Sequence, residues 1–228
     1  VEIAAVGLGN QIFFILNMIL FGITSGGAVF IAQFWGRKDL GGIRKSLGLM
    51  TIIAVVVAII FTVLGLFIPN QLISLYSPDP EVIQVGGTYL RYVCLSYVPT
   101  AISFSITLAM RSTERVKLPL VCTSISLVTN IIANYFLIFV AGLGVKGAAI
   151  ATIISRIIEL IILLVWSNSH NYEICGRIKE LLNFNKSFVC KFIMIAFPVI
   201  INETFWGLGT SVYNGIFAHA GTNAFTAY

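Results

Sequence analysis

Residues 46–78 read SLGLMTIIAVVVAIIFTVLGLFIPNQLISLYSP and contain no charged side chain over 33 positions. Lys45 precedes this stretch and Asp79 follows it. A helix needs about 20 consecutive apolar residues to cross the hydrocarbon core of a bilayer. The stretch is longer than that, so it predicts a transmembrane helix.

Five further stretches are apolar enough to span a membrane. The chain is 58% hydrophobic and 10% charged, with a mean hydropathy of +0.97. Soluble domains carry about 25% charged residues, so this composition excludes an ordinary soluble protein. We therefore expect an all-α, polytopic bundle of six membrane helices in the cell membrane. The five further stretches are residues 3–36, 92–110, 118–145, 147–167 and 192–217.

Two residue types within these stretches predict how the helices meet and bend. Small side chains allow close helix contacts, which we expect at Gly22, Gly26 and Gly27 and around Gly147. Proline removes a backbone donor from a helix. Proline at 99 and 198 can therefore bend the helices that contain them, or can serve packing alone.

The distribution of lysine and arginine predicts the orientation. Basic connections at residues 37–45, 111–117 and 168–191 alternate with connections poor in basic residues, at 79–81 and around Lys146. Basic connections are retained in the cytoplasm, so the first three are assigned there and both chain ends outside. The net charge of +5 then reflects loop charge that sets topology, and it does not predict a nucleic-acid partner.

The longest polar connection predicts a division of the chain. We expect residues 1–170 to form most of an N-terminal transmembrane lobe with five helices, and 171–190 to form a cytoplasmic linker. Residues 191–228 would then supply the first helix of a second lobe. Five helices before such a linker fit a longer protein whose first helix precedes this chain. A weak echo between residues 1–6 and 223–228 agrees with a repeat.

The sequence offers no catalytic or cofactor-binding set. The four cysteines lack the CxxC spacing of a metal site, and reduced structural thiols are the expected state. His170 and His219 lie in or beside connections without a partner at catalytic spacing. We therefore expect neither an enzyme nor a resident cofactor.

Glu203 is the first candidate site residue. It is the only charged residue after Lys191, within the stretch FPVIINETFWGLG at residues 197–209. Counted from Lys191, it lies about 18 Å into the membrane. A carboxylate at that depth costs several kcal/mol and usually faces a cavity or an ion path. A neutral, hydrogen-bonded glutamate with a structural role is the alternative. Asn202 beside it is a secondary candidate.

Asn130 and Asn134 form the second candidate site, together with Thr152. The two asparagines are four residues apart and share one helix face. Counted from Gly142, Asn134 lies about 12 Å and Asn130 about 18 Å deep, while Thr152 lies about 8 Å into the next, antiparallel helix. Their neutral oxygens suit Na⁺ or a hydrogen-bond network around a carboxylate. Ordinary interhelical hydrogen bonding is the alternative.

Arg156 and Glu159 are the remaining charged residues within a span. Their three-residue spacing places them on one helix face, so we expect them to pair with each other. Both residues lie in the cytoplasmic half of their helix.

Three quoted stretches resemble the multidrug and toxic compound extrusion (MATE) family of transporters. They are EIAAVGLGNQI at 2–12, GITSGGAVFIAQFWGRKD at 22–39 and NIIANYFLIFVAGLGVKGAAIATIISR at 130–156. The resemblance covers essentially the whole chain, from about the second to the seventh helix of that family. This sequence departs from the family pattern in lacking the first helix and the last five.

The resemblance implies a fold and a function. It implies twelve helices in two six-helix lobes around a cavity, of which this chain is one lobe-sized fragment. It also implies ion-coupled export of amphipathic organic cations, driven by H⁺ or Na⁺. It places functional weight on Glu203 and, secondarily, on Gln33. Within the same superfamily a lipid-linked oligosaccharide flippase is the alternative. We expect a monomer that contacts membrane lipids.

Overall fold

The computed structural model describes residues 2–170, 172, 174, 176 and 178–219. All regular structure in this part of the chain is helical, as the composition predicts. Six helical segments are long and apolar enough to cross a membrane, which confirms the predicted number of spans. These segments are Ala5–Gly36, Leu40–Phe67, Pro80–Ser112, Lys117–Val140, Gly144–Ser169 and Lys186–Thr210.

The first two helices are joined by a tight basic turn. Helix α1 covers Glu2–Gly36 and α2 covers Leu40–Phe67. Lys38 adopts a left-handed backbone with φ 57°, which ends the first helix. The Asp39 side chain accepts a hydrogen bond from the Gly42 backbone N–H at 2.9 Å and so caps the second helix.

The third span is longer than the sequence predicts and contains a break. After the short helix α3 (Pro69–Ser74), α4 covers Pro80–Val93 and α5 covers Tyr97–Ser112. A 3₁₀ turn at residues 94–96 joins them, and Pro99, which cannot donate to the preceding turn, follows directly. The expected boundary at Arg91 was wrong, because that arginine continues the helix and donates to the Leu66 carbonyl at 3.4 Å.

The next hairpin consists of two antiparallel helices. Helix α6 covers Lys117–Asn134 and continues as a π-helical turn over Tyr135–Val140. Gly142 and Gly144, both with positive φ, form the connection to α7, which covers Gly144–Ser169. The expected helix end at Gly142 is thereby confirmed.

The polar connection before the last span contains a short helix. Helix α8 covers Ile178–Leu181, and Glu180 pairs with Arg44 of α2 at 2.8 Å. Helix α9 then covers Lys186–His219, so the end of the predicted linker 171–190 is already helical. Residues 220–228, which belong to the predicted second lobe, lie outside the described residues.

Helix α1 lies at the centre of the bundle and packs against α2, α4, α5 and α9. Its contact with α9 is antiparallel and depends on glycine. A Cβ at Gly26 would lie 2.6 Å from the Ala196 Cα, and one at Gly22 would lie 2.7 Å from the Ile200 Cα. The predicted close contacts at these small residues are therefore confirmed, and α9 is held against α1 by backbone approach.

Candidate functional site

A cavity of about 260 Å³ lies among helices α1, α4, α6 and α7. Apolar side chains line its walls, including Phe13 and Val93. Polar side chains converge on it from all four helices. These are Asn10, Tyr89, Asn130, Asn134 and Thr152, with Ser96 from the 3₁₀ turn.

The predicted residues of the second candidate site are brought together in this cavity. Asn134 Nδ2 donates to Asn130 Oδ1 at 2.9 Å. Asn130 Nδ2 in turn donates to Ser155 Oγ at 3.3 Å, and Ser155 Oγ donates to the Thr152 carbonyl at 2.9 Å. Ser126 Oγ adds a bond to the Ser155 carbonyl at 3.1 Å. This chain of bonds fixes the orientation of both asparagine amides.

One oxygen in the network has no partner. Asn134 Oδ1 is buried and accepts no hydrogen bond from any residue that the structure describes. Buried polar atoms are almost always satisfied, so an exception inside a polar cavity points to a ligand, an ion or water. Asn134 is also the last α-helical residue before the π-helical turn, a distortion that is frequent at functional sites.

Sequence reasoning missed the residues that reach the cavity from α1 and α4. Tyr89 donates its hydroxyl to Asn10 Oδ1 at 3.0 Å, across 79 residues of chain. Gly9 lies beneath the Tyr89 ring, since a Cβ there would lie 2.6 Å from Tyr89 Cδ1. The available signal was an asparagine inside an otherwise apolar span, which is the same signal that marked Asn130.

Glu203 lies near the middle of α9, which covers Lys186–His219. Ala196, Ile200 and Gly207 of that helix contact α1 at Gly26, Gly22 and Met18, respectively. Glu203 follows Ile200 by three residues and precedes Gly207 by four, so it lies on the same face of α9 as these two residues. Its side chain is half-buried on the side of α9 that meets α1.

The Glu203 carboxylate forms no hydrogen bond or ion pair with any described residue. Both interpretations of Glu203, as a carboxylate on an ion path and as a neutral structural glutamate, stay predictions. Glu203 does not line the asparagine cavity, so the two candidate sites are separate in this structure.

The secondary candidates lie apart from both sites. Asn202 is exposed and points away from the α1-facing stripe, since one residue along a helix turns the side chain by about 100°. Gln33 is exposed one turn before the end of α1, near the basic connection. Neither side chain lines the asparagine cavity.

Arg156 and Glu159 pair with each other, as predicted. Arg156 Nη1 lies 2.8 Å from Glu159 Oε2, and Thr123 donates to the other carboxylate oxygen at 3.3 Å. The Glu159 side chain is 7% exposed and that of Arg156 32%. Both carboxylate oxygens are therefore satisfied, which sets Glu159 apart from Glu203.

Comparison with known proteins extends the geometric description. The MatE family model matches residues 1–136, more than half of the 228-residue chain. The chain belongs to the MatE family. This membership confirms the resemblance found in the sequence, and it assigns the chain to a family of membrane transporters and not of enzymes.

Curated relatives of this MatE chain have names that refer to multidrug resistance or export. "Probable multidrug resistance protein YoeA" of Bacillus subtilis is 25% identical over 99% of this chain and 50% of its own length. "Probable multidrug resistance protein NorM" of Thermotoga maritima is 23% identical, with 99% and 49% covered. "Multidrug export protein MepA" of Staphylococcus aureus is 24% identical, with 99% and 50% covered. The chain spans about half the length of the curated relatives it matches.

Solved structures confirm the fold of the MatE chain. A structure described as MATE in the bent conformation superposes with a TM-score of 0.86 at 17% identity, covering 99% of this chain and 50% of the other. An inward-facing multidrug resistance MATE family transporter of the MOP superfamily gives 0.84 at 17% identity, with 99% and 51% covered. The six-helix arrangement is therefore that of about half a MATE transporter.

Proposed function

We propose that this chain supplies half of an ion-coupled antiporter that exports amphipathic organic cations by alternating access. The coupling ion is H⁺ or Na⁺, and the transporter acts as a monomer surrounded by membrane lipids. The names of its relatives, which refer to multidrug resistance and export, support small organic molecules as the cargo.

The observation that carries this proposal is the unpartnered carboxylate of Glu203. An ionised side chain in the middle of a membrane helix is costly unless a counter-charge compensates it. Since no described residue supplies that counter-charge, a cationic cargo or a coupling ion does so in the working cycle. Exchange of one for the other at a single carboxylate couples export to ion entry.

The asparagine cavity supports a second role, in binding of the coupling ion. Asn134 Oδ1 is a hard, neutral oxygen to which no described residue donates, and Asn130 and Thr152 line the same cavity. Such oxygens suit Na⁺, or they position a carboxylate that carries the proton.

The glycine contact between α1 and α9 supports the alternating-access part of the proposal. Two helices that touch through backbone atoms can slide or rotate with little rearrangement of side chains. Gly22 and Gly26 of α1 lie at this interface with α9. Pro198 of α9 lies between Ala196 and Ile200, which contact them. A bend at Pro198 would move Glu203 relative to α1.

The flippase alternative receives less support. A pyrophosphate-linked cargo calls for a cluster of arginines, whereas the described residues place a carboxylate at the α1–α9 seam and neutral groups in the asparagine cavity. The names of the relatives also favour drug export.

Transport in everted membrane vesicles tests the proposal. Vesicles that contain the whole protein are prepared without an ion gradient, with a Na⁺ gradient or with a pH gradient across the membrane. Uptake of a fluorescent organic cation is then followed under each condition. We expect uptake driven by one of the two gradients. Uptake of an anionic dye but no cationic dye, under either gradient, would contradict the proposed cargo class.

A further inference from the structure

A second polar cavity lies at the end of the bundle opposite the basic connections. Its volume is about 450 Å³, and it is formed by the end of α2, the short helix α3, the middle and end of α4 and the start of α7. It does not share a lining residue with the asparagine cavity. Its polar lining residues are Asn70, Gln71, Gln84, Thr88, Arg91 and Lys146.

The charge of this cavity is positive. Arg91 and Lys146 contribute two cations, and no acidic residue is among its lining residues. Neither cation forms an ion pair with a described residue. Two cations that share a cavity repel cationic cargo, so this site is unsuited to the substrates of the proposed exporter and suited to an anion.

Arg91 contacts the end of α2 through one hydrogen bond. Arg91 Nε donates to the carbonyl of Leu66, near the end of α2. The Asn70 side chain of α3 packs directly against Gly87, where any larger residue would collide with it. These contacts hold α3 and α4 together and form the wall from which Arg91 and the amides of Asn70 and Gln71 reach the cavity.

The length of α2 places this cavity near the lipid headgroups. Helix α2 has 28 residues and is therefore about 42 Å long, more than the roughly 30 Å of hydrocarbon core. Its Phe67 end thus reaches the headgroup layer. Phe67 is 78% exposed, and it flanks the cavity with Tyr92, whose residue type is enriched in the aromatic belt at a membrane interface.

We propose that this cavity binds the headgroup of an anionic phospholipid from the leaflet opposite the basic connections. Arg91 and Lys146 bind the phosphate, the amides of Asn70, Gln71 and Gln84 bind the glycerol or headgroup hydroxyls, and Phe67 and Tyr92 contact the start of the acyl chains. A bound lipid would tie α7 to α3 and α4 at this end.

Protection of an introduced thiol tests this site. The whole protein, without its native cysteines and purified in neutral detergent, carries Gln71→Cys as the reporter. Leu75→Cys is the control, because Leu75 is exposed on the same surface and does not line the cavity. The rate of maleimide labelling is measured against increasing dioctanoylphosphatidylglycerol, inorganic phosphate or dioctanoylglycerol.

We expect phosphatidylglycerol to slow labelling of the cysteine at position 71 and not of the cysteine at position 75. Inorganic phosphate and dioctanoylglycerol at the same concentration should slow labelling at neither position. Arg91→Gln with Lys146→Gln should raise the half-protecting concentration about thirtyfold. Arg91→Lys with Lys146→Arg keeps both charges and should stay within about threefold of the parent, which controls for folding.

Four results would overturn the proposal. Equal protection by inorganic phosphate would indicate a site for free anions, and equal protection by dioctanoylglycerol would indicate an apolar site. Absence of protection, or protection unchanged in the double glutamine variant, would show that the two cations bind no lipid headgroup.

Discussion

Asn134 Nδ2 donates to Asn130 Oδ1 at 2.9 Å, whereas Asn134 Oδ1, which is buried in the cavity that Thr152 also lines, has no partner among the described residues. One hydrogen bond thus orients the two amides, while Asn134 Oδ1 stays available to accept another. A packing device would satisfy both ends of each amide, because burial of an unpaired carbonyl costs about 1–3 kcal/mol. This asymmetry supports a ligand-binding role for the cavity.

The first prediction concerns this pair. Asn134→Ala removes the unpartnered oxygen and should raise the half-saturating concentration of the coupling ion about tenfold, the equivalent of roughly 1.4 kcal/mol. The measurement is cation transport by the whole protein at graded Na⁺ concentration and at graded pH. Ser124→Ala is the matched control, because Ser124 lies exposed on the same helix and bonds only to the Leu120 carbonyl. Unchanged dependence on both ions in Asn134→Ala would assign the cavity to packing.

Part of this site could be predicted from the sequence and part could not. The Asn130–Asn134 pair is local, since a four-residue spacing on a helix fixes their common face whatever the rest of the chain does. The bond between Tyr89 and Asn10 joins two helices distant in sequence, and their rotation is set by packing at Gly9. The spacing of polar residues within one helix does not indicate how that helix is rotated against another, so the contact between Tyr89 and Asn10 could not be predicted.

The fold shows the same division. Uncharged stretches predicted six spans, because the thickness of the bilayer imposes the length of each one. The third span was predicted too short, because Arg91 was taken as a boundary. A long side chain near a helix end reaches the interface while its backbone stays in the span, so charge alone does not mark the end of a helix.

The second prediction concerns the contact between α1 and α9. Gly26→Val should lower the stability of the protein by about 1–3 kcal/mol and reduce transport, because its side chain would collide with the Ala196 backbone. The measurement is thermal unfolding in detergent together with dye efflux. Gly7→Ala is the control, since nothing lies within 4 Å of a Cβ at Gly7 in the same helix. Equal effects of the two substitutions would contradict the backbone contact.

The third prediction concerns the ion pair within α7. Arg156→Met leaves the nearly buried Glu159 carboxylate without its cation and should cost about 3 kcal/mol of stability. Glu159→Gln leaves only the more exposed arginine unpaired and should cost clearly less. The double variant should recover most of the loss. Chemical denaturation in detergent measures all three, with Arg111→Met as an exposed control. A smaller loss for Arg156→Met than for Glu159→Gln would show that the carboxylate does not depend on the pair.

The fourth prediction concerns orientation. In a background without native cysteines, Gly41→Cys in the basic connection should resist an impermeant thiol reagent added to intact cells. Leu75→Cys, exposed at the opposite end of the bundle, should react. Basic connections are retained in the cytoplasm, which is the reason for this expectation. The reverse pattern of labelling would invert the assignment of the two ends.

The central claim is that the unpartnered carboxylate of Glu203 binds the cation that is transported or exchanged. Glu203→Gln keeps the size of the side chain and removes its charge, whereas Glu203→Asp keeps the charge on a shorter stem. Asn202→Ala is the control, because Asn202 is adjacent but exposed away from α1.

Efflux of a fluorescent organic cation from cells that express equal amounts of these variants is the most direct test. Our account predicts that Glu203→Gln abolishes efflux, that Glu203→Asp retains part of it, and that Asn202→Ala is near the parent. Full efflux by Glu203→Gln, with loss in Glu203→Asp, would contradict it and would assign Glu203 to packing between α1 and α9.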